Sequence, residues 1–140
     1  KKNDKELAIN LNEICFVKKV LTGAGKVEQI SESLMDCVTG VSGSGPAYGF
    51  MFIEAMADGA VLCGMPRNQA YIYAAQTLKG AADMVLNTQN HPGVLKDAVC
   101  SPGGTTIEGV KALEAGGFRN TIINAVIEAT KKSIEIGKCN

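Results

Sequence analysis

The chain has 140 residues, enough for one domain of ordinary size, or for one domain with a small part of another. Its 14 basic residues balance its 14 acidic residues, which excludes the strongly basic surface expected of a nucleic-acid-binding protein. Apolar residues make up 46% of the chain and charged residues 20%, which excludes a disordered chain. We therefore expect a folded domain that binds no nucleic acid.

The cysteines and the apolar segments indicate the cellular compartment of the protein. Five widely spaced cysteines and one histidine fit no zinc-binding pattern, so we predict no metal site and expect the thiols to be buried in a reducing environment. The charged start, Lys1–Glu6, is not followed by the apolar segment of a secretory signal. Because Glu54 and Asp58 interrupt the most apolar stretch, 46–64, it predicts a buried helix, not a membrane span. These features predict a cytoplasmic protein with no membrane partner.

The first thirty residues predict one helix and one strand. Apolar residues recur with a loose 3.6-residue period over 5–22, and Gly23 and Gly25 follow. Alternating polar and apolar residues at 26–30 predict a short strand. No second convincing strand follows in the sequence. The strand would therefore belong to a sheet outside this chain, or the segment is an extended linker.

From residue 31 onward the pattern is helical. After a short segment at 33–38, Ser44 is expected to cap a helix that runs to Leu62 and is apolar on most of its faces. Such a helix should be central, and one chain of this size cannot cover it alone. Further helices are predicted at 67–88, 95–99, 105–115 and 119–136. His91 stands in a predicted His-Pro-Gly turn, where we expect it to have a structural role.

Two glycine-containing loops, 41–46 and 101–106, each precede a predicted helix. Glycine lets a ligand approach the backbone, and free N–H groups at a helix start favour a carboxylate or a phosphate. Neither loop is the GxGxxG motif that follows a strand in dinucleotide-binding domains. Helix capping explains either loop equally well at this stage, with Thr105 serving simply as the N-cap of its helix.

A set of short motifs follows one order along the chain: 36–48, 57–60, 64–67, 91–93, 95–97, 101–107, 113–114 and 116–119. Together they resemble the C-terminal domain of pyrroline-5-carboxylate reductases, over about 32–138. The Pro-Gly-Gly-Thr-Thr sequence, and its distance from the Ser-Gly-Ser-Gly-Pro loop, are quite specific to that family.

The resemblance implies a fold. It implies an all-α bundle of the type found in the C-terminal domain of 6-phosphogluconate dehydrogenase, forming an intertwined homodimer or an assembly of such dimers. Residues 1–31 would be the last helix and strand of an N-terminal Rossmann domain, and 32–140 would be the helical dimerisation and substrate-binding domain. The sequence contains no GxGxxG and no βαβ pattern, so we expect the chain alone to be inactive.

The resemblance also implies a reaction, the reduction of 1-pyrroline-5-carboxylate to L-proline with NADPH or NADH, the last step of proline biosynthesis. Thr106 would be the catalytic residue, its hydroxyl bonding the ring nitrogen. The substrate would also meet Glu32, Ser101, Gly103, Gly104 and Thr105. Cofactor contacts would come from Ser44, Gly45 and Pro46, and from Ala98, which replaces a polar residue of some members, while most of the cofactor would lie on the Rossmann domain.

Two alternatives remain open. The chain could be the helical domain of a related imine or β-hydroxyacid dehydrogenase, but those enzymes generally use a lysine on the central helix, and none lies between Ala47 and Leu62. It could also be a non-catalytic helical dimerisation module. Binding of proline would separate that possibility from an enzyme.

Overall fold

The computed structural model describes residues 10–138, and within that range every regular element is a helix. The predicted all-α fold is therefore confirmed. The chain divides into two compact units, Lys1–Leu34 and Met35–Asn140. The helices are α1 (Leu11–Leu21), a 3₁₀ turn (Glu32–Leu34), α2 (Met35–Val38), a π turn (Thr39–Gly43), α3 (Gly45–Leu62), α4 (Arg67–Thr88), α5 (Pro92–Val99), α6 (Thr105–Ala115) and α7 (Phe118–Lys138).

The first unit contains α1, which starts with a complete capping box. The Asn10 side chain accepts from the Asn12 amide at 3.0 Å, and the Asn10 amide donates to the Glu13 carboxylate at 2.9 Å. The part of the predicted helix before residue 10 lies outside the described residues. The segment 26–30 has no regular structure here, and the strand, which was predicted to pair with a sheet outside this chain, stays a prediction. A strand needs a hydrogen-bonding neighbour, and residues 10–138 provide none.

The second unit is built on the hairpin of α3 and α4. The two helices pack through small side chains, and the fully buried apolar residues of the described chain are Ala57, Ala70 and Ala74. Gly64, with a φ of +96°, and Pro66 make the turn between the helices, as their sequence positions predict. An ion pair between Arg67 and Asp58 joins the two helices beside that turn.

The α2 helix and the π turn pack on the C-terminal half of α7 through Gly40. This residue is buried, and a Cβ atom added to it would lie 2.4 Å from the Thr130 hydroxyl and 3.0 Å from the Val126 carbonyl oxygen. The Ser133 hydroxyl donates to the Asp36 carboxylate at 2.6 Å in the same contact. Only a glycine lets the two backbones approach this closely.

The π turn changes how α3 begins. The Ser44 amide donates to the Thr39 carbonyl at 2.9 Å, and the Ser44 backbone is helical, with φ −88° and ψ −24°. The Ser44 side chain makes no capping hydrogen bond. Ser44 therefore occupies the predicted N-cap position, but its side chain does not cap the helix, because its backbone already continues the helical path of the π turn.

Two contacts join α3 to α7. The Tyr48 hydroxyl donates to the Ala125 carbonyl at 3.2 Å, and the rings of Phe52 and Phe118 lie 5.8 Å apart at an angle of 50°. The predicted burial of the cysteines is wrong within one chain, since Cys15, Cys37 and Cys63 are exposed and Cys100 is half-buried, while Cys139 lies outside the described residues. Between residues 10 and 138, no helix is both long and apolar enough to cross a membrane.

We expect Gly40→Ala to lower the free energy of unfolding by about 1–3 kcal/mol, because the added methyl group overpacks the contact with α7. Urea denaturation of the purified chain measures this change. Gly109→Ala is the matched control, since a Cβ there meets nothing within 4 Å, and it should be neutral or slightly stabilising. Equal stability of the two variants would contradict the proposed close approach.

Candidate functional site

A tight turn connects α5 to α6. The Gly104 amide donates to the Ser101 carbonyl at 3.0 Å, and Pro102 and Gly103 occupy the two central positions. Gly103 has a φ of +68°, which fits the third position of a type II turn and favours glycine there. The sequence Ser-Pro-Gly-Gly therefore fixes the conformation of the segment that leads into α6. We call residues 101–104 the α6 turn.

The α6 helix starts without a side-chain cap. Its N-cap residue is Gly104, with φ −80° and ψ 170°, and no side chain hydrogen-bonds to the first turn from that position. The interpretation of Thr105 as a simple N-cap is wrong, because Thr105 is the first helical residue. The N–H groups of the first turn, aligned with the positive end of the helix dipole, form the kind of arrangement that binds a carboxylate.

The two threonines at this helix start differ in exposure. Thr105 is exposed, whereas Thr106 is half-buried. Ser101 is exposed as well, and a Cβ atom added to Gly104 would lie only 2.3 Å from its hydroxyl. A side chain at position 104 would thus displace the Ser101 hydroxyl, whereas glycine leaves the backbone open to a small molecule.

The α5 helix brings charged side chains close to the α6 turn. The hydrogen bond to the Asp97 carboxylate raises the pKa of Lys96, which also lies near Cys100 and Arg119. At the start of α7, the hydrogen bond to the Glu114 carboxylate, 2.6 Å long, raises the pKa of Arg119. Each cation is already paired with its own carboxylate, so neither provides a free positive charge.

Two of the remaining candidate residues of the second unit line cavities that include no residue of the α6 turn. Ser44 lines a cavity of about 420 Å³ with residues of the π turn and α7, and this cavity includes no residue of the α6 turn. Gly45 is half-buried and Pro46 is exposed at the start of α3. Ala98 is exposed on α5 and lines a separate cleft between α4 and α5.

Glu32 belongs to the first unit, where it opens the 3₁₀ turn with an exposed side chain. The adjacent Ser31 and Ser33 hydroxyls lie 2.9 Å apart. Among the candidate residues, the second unit thus brings together Ser101, Gly103, Gly104, Thr105 and Thr106 in one turn and helix start. The sequence interpretation missed the π turn, for which the only signal was the spacing of Gly40, Gly43 and Gly45.

We expect Gly103→Ala to lower the free energy of unfolding by about 1–2 kcal/mol, because the Cβ atom of alanine is strained at a positive φ that glycine adopts freely. Gly103→Asn should recover part of the loss, since asparagine tolerates the left-handed region. Urea denaturation of the three proteins measures both effects. A Gly103→Ala protein as stable as the parent chain would contradict the assigned turn.

Comparison with known proteins identifies residues 32–136 as a match to a family model described as pyrroline-5-carboxylate reductase dimerisation. The pyrroline-5-carboxylate reductase of Escherichia coli is 60% identical over 114 residues, which cover 81% of this chain and 42% of the relative. The reductase of Arabidopsis thaliana is 57% identical over 123 residues, covering 88% of this chain and 45% of the relative. The chain thus spans less than half the length of these relatives.

Solved structures of proteins described as pyrroline carboxylate reductases share this fold. The pyrroline carboxylate reductase of Plasmodium falciparum, solved with NADP bound, matches with a TM-score of 0.83 at 36% identity, over 94% of this chain and 50% of that one. The Coxiella burnetii pyrroline-5-carboxylate reductase matches with a TM-score of 0.85 at 33% identity, over 91% of this chain and 47% of that one. On the evidence of the family model and of relatives in bacteria, plants and a parasite, this chain belongs to the pyrroline-5-carboxylate reductase family.

Proposed function

We propose that this chain is the substrate-binding and dimerising part of an enzyme that reduces 1-pyrroline-5-carboxylate to L-proline with NADPH or NADH. The observation that carries the proposal is the uncapped start of α6, at Gly104, in a chain that belongs to the reductase family. Because the chain spans about half the length of its relatives, the complete activity is proposed for this chain together with a cofactor-binding domain.

The substrate carboxylate would bind the backbone amides at the α6 turn. Gly103, Gly104 and Thr105 offer these amides, although the Gly104 amide already closes the turn on Ser101 at 3.0 Å. The first-turn amide of Thr105 therefore becomes the main donor in this proposal, with the Ser101 hydroxyl beside it. The helix dipole favours the negative charge at this position, and no lysine or arginine is needed.

The Thr106 hydroxyl would hydrogen-bond the ring nitrogen of the substrate. In this reduction, hydride adds to the carbon of the C=N bond and the nitrogen keeps a proton, so a positioned hydroxyl holds the ring in the reactive orientation. The half-burial of Thr106 supports this role, because a partly shielded hydroxyl has fewer competing water molecules than the exposed Thr105. Glu32 is proposed to meet the same nitrogen, directly or through water.

The nicotinamide cofactor supplies the hydride when it is bound. This chain would contribute little to its binding. The Ser44 amide is occupied by the Thr39 carbonyl, Pro46 has no N–H, and Ala98 offers only a methyl group. The small side chains at 45 and 98 are compatible with a nearby ring, but the phosphates of a dinucleotide need a strand-to-helix turn that residues 10–138 do not form.

A homodimer is the second part of the proposal. No large side chain of residues 10–138 is fully buried in one copy. Several large apolar side chains of the α3–α4 hairpin are strongly exposed, including Phe50 and Met51, each 69% exposed, and Leu62, 89% exposed. Exposed apolar surface of this extent is typical of a chain whose core is completed by another copy. A tetramer or larger assembly of dimers is compatible with the same surface.

The alternatives are less well supported. The match of the family model favours the reductase over a related imine or β-hydroxyacid dehydrogenase, and the described part of α3 carries no lysine. A non-catalytic dimerisation module would have no reason to keep an open, glycine-shaped helix start beside a half-buried threonine.

Thr106→Ala should reduce kcat/KM about 10–100-fold, because it removes a hydroxyl that positions the ring nitrogen in the transition state. The test uses a fusion in which residues 32–138 follow the N-terminal part of the Escherichia coli relative, which is 60% identical to this chain. Oxidation of NADPH in the presence of 1-pyrroline-5-carboxylate gives the rate. The chain by itself serves as the blank and should show no turnover.

Thr105→Ala is the matched control for that measurement. We expect it to change kcat/KM much less, since the backbone amide of this residue is used and its exposed side chain is not. Melting temperatures of both variants separate a loss of stability from a loss of catalysis. Equal and small kinetic effects at the two positions would contradict the role proposed for Thr106.

The chain should sediment as a dimer at micromolar concentration. Met51→Glu should raise the dissociation constant at least about 10-fold, because it would place a charge within the apolar groove between α3, α6 and α7. Glu54→Gln, an exposed position on the same helix, is the control and should leave the constant nearly unchanged. A stable monomer at these concentrations would overturn the proposed dimer.

A further inference from the structure

We propose that His91 is a pH-sensitive positioning residue, whose neutral ring caps α5 and thereby steadies the α6 turn at the other end of that helix. The proposed reaction assigns no role to the His-Pro-Gly motif of residues 91–93. The capping role requires only that the His91 ring accept a hydrogen bond, which the geometry of the helix start indicates.

The ring of His91 accepts a hydrogen bond from the helix that it precedes. Its Nδ1 atom lies 3.0 Å from the Gly93 amide nitrogen, which donates. The His91 backbone is extended, with φ −60° and ψ 132°, as is usual at an N-cap. Pro92 follows at the first helical position, where its missing N–H costs nothing.

Gly93 leaves room for this ring. A Cβ atom added to Gly93 would lie 3.0 Å from Nδ1 and 3.3 Å from Cε1 of His91, closer than side-chain carbons normally approach. The imidazole therefore lies against the backbone of the first turn. The three residues act as one capping unit, in which histidine supplies the acceptor, proline the helical φ and glycine the space.

Protonation of the ring would remove the cap in two ways. A neutral imidazole can accept through Nδ1 when Nε2 carries the proton, whereas a protonated imidazole has two donors and no acceptor. The new positive charge would also face the positive end of the helix dipole. Both effects act in the same direction, so the ring can cap α5 only in its neutral form.

The charged side chains of α4 and α5 make no ion pair with the ring. The charged residues of α5 are Lys96 and Asp97, which pair with each other. The α4 helix, which packs on α5, contributes Ala81, Met84 and Val85 to the cleft between them, while its charged Lys79 and Asp83 do not line that cleft. Arg67 at the far end of α4 pairs with Asp58. None of the ion pairs found in residues 10–138 includes His91.

The cap matters for the α6 turn because α5 is short. It has eight residues, about two turns, and a helix of that length depends on its caps and on packing. At its far end the Cys100 amide donates to the carbonyls of Lys96 and Asp97, at 3.2 and 3.1 Å, and Ser101 follows at once. Weakening of α5 should therefore loosen the α6 turn. Any consequence for substrate binding rests on the function proposed above.

Thermal melting of the complete chain at pH 7.5 and pH 5.5 tests the proposal with three proteins. His91→Asn keeps a capping acceptor that does not titrate, and His91→Ala has none. We expect the parent chain to lose about 3–5 °C more than His91→Asn on acidification. His91→Ala should melt lower than the parent at pH 7.5 and show no such extra loss. Because the chain has one histidine, these variants remove its only imidazole.

Hydrogen exchange of peptides covering residues 92–104 gives a local measurement, after correction for the intrinsic effect of pH. Protection should fall about five-fold more in the parent chain than in His91→Asn. Equal pH responses of these two proteins, in melting and in exchange, would overturn the proposal. Neither measurement uses substrate or cofactor, so its failure would leave the proposed reduction untouched.

Discussion

The structure depends on one constraint, that α3 and α4 meet through alanines. Ala57, Ala70 and Ala74 let the two helices pack closely, but they bury little apolar area. Burial of apolar surface is worth about 25 cal/mol per Å², so a core of methyl groups alone stabilises a domain weakly. Ile53 and Val61 pack partly against these alanines, but Phe50, Met51 and Leu62 are exposed, and their burial requires a second surface. The proposed dimer follows from this distribution of side-chain size.

The start of α6 is independent of that core. Its geometry comes from local rules, since a proline and a positive-φ glycine set the turn and a second glycine occupies the N-cap position. A glycine cap leaves the first-turn amides without a side-chain acceptor, although glycine costs only about a few tenths of a kcal/mol relative to serine at this position. A carboxylate bound there would accept from these amides.

The helices whose bounds were predicted correctly are marked by residues at or next to their own ends. The bounds of α4 and α6 agree with the predicted 67–88 and 105–115, because Gly64, Pro66 and the glycines before Thr105 mark them locally. The start of α3 after Ser44 was also predicted, but the π turn before it was not, since that turn depends on the packing of Gly40 against Thr130, ninety residues later in the chain. No local pattern contains that contact.

At the candidate site, too, the sequence predicted some features and the structure was needed for others. The threonines and glycines of residues 101–106 could be selected from the sequence, but threonine and glycine are about equally favourable N-caps, so only the structure could assign the cap to Gly104. The strand predicted at 26–30 depends on a neighbour outside this chain. A strand is a property of a sheet, and residues 10–138 contain none.

The binding of a carboxylate at the start of α6 is the central claim, and an NMR titration of the ¹⁵N-labelled chain with L-proline tests it most directly. We expect saturable shifts that are largest for the Thr105 amide and for its neighbours in residues 103–106. Shifts centred on the π turn around Ser44, or no saturable shift at residues 103–106, would contradict it.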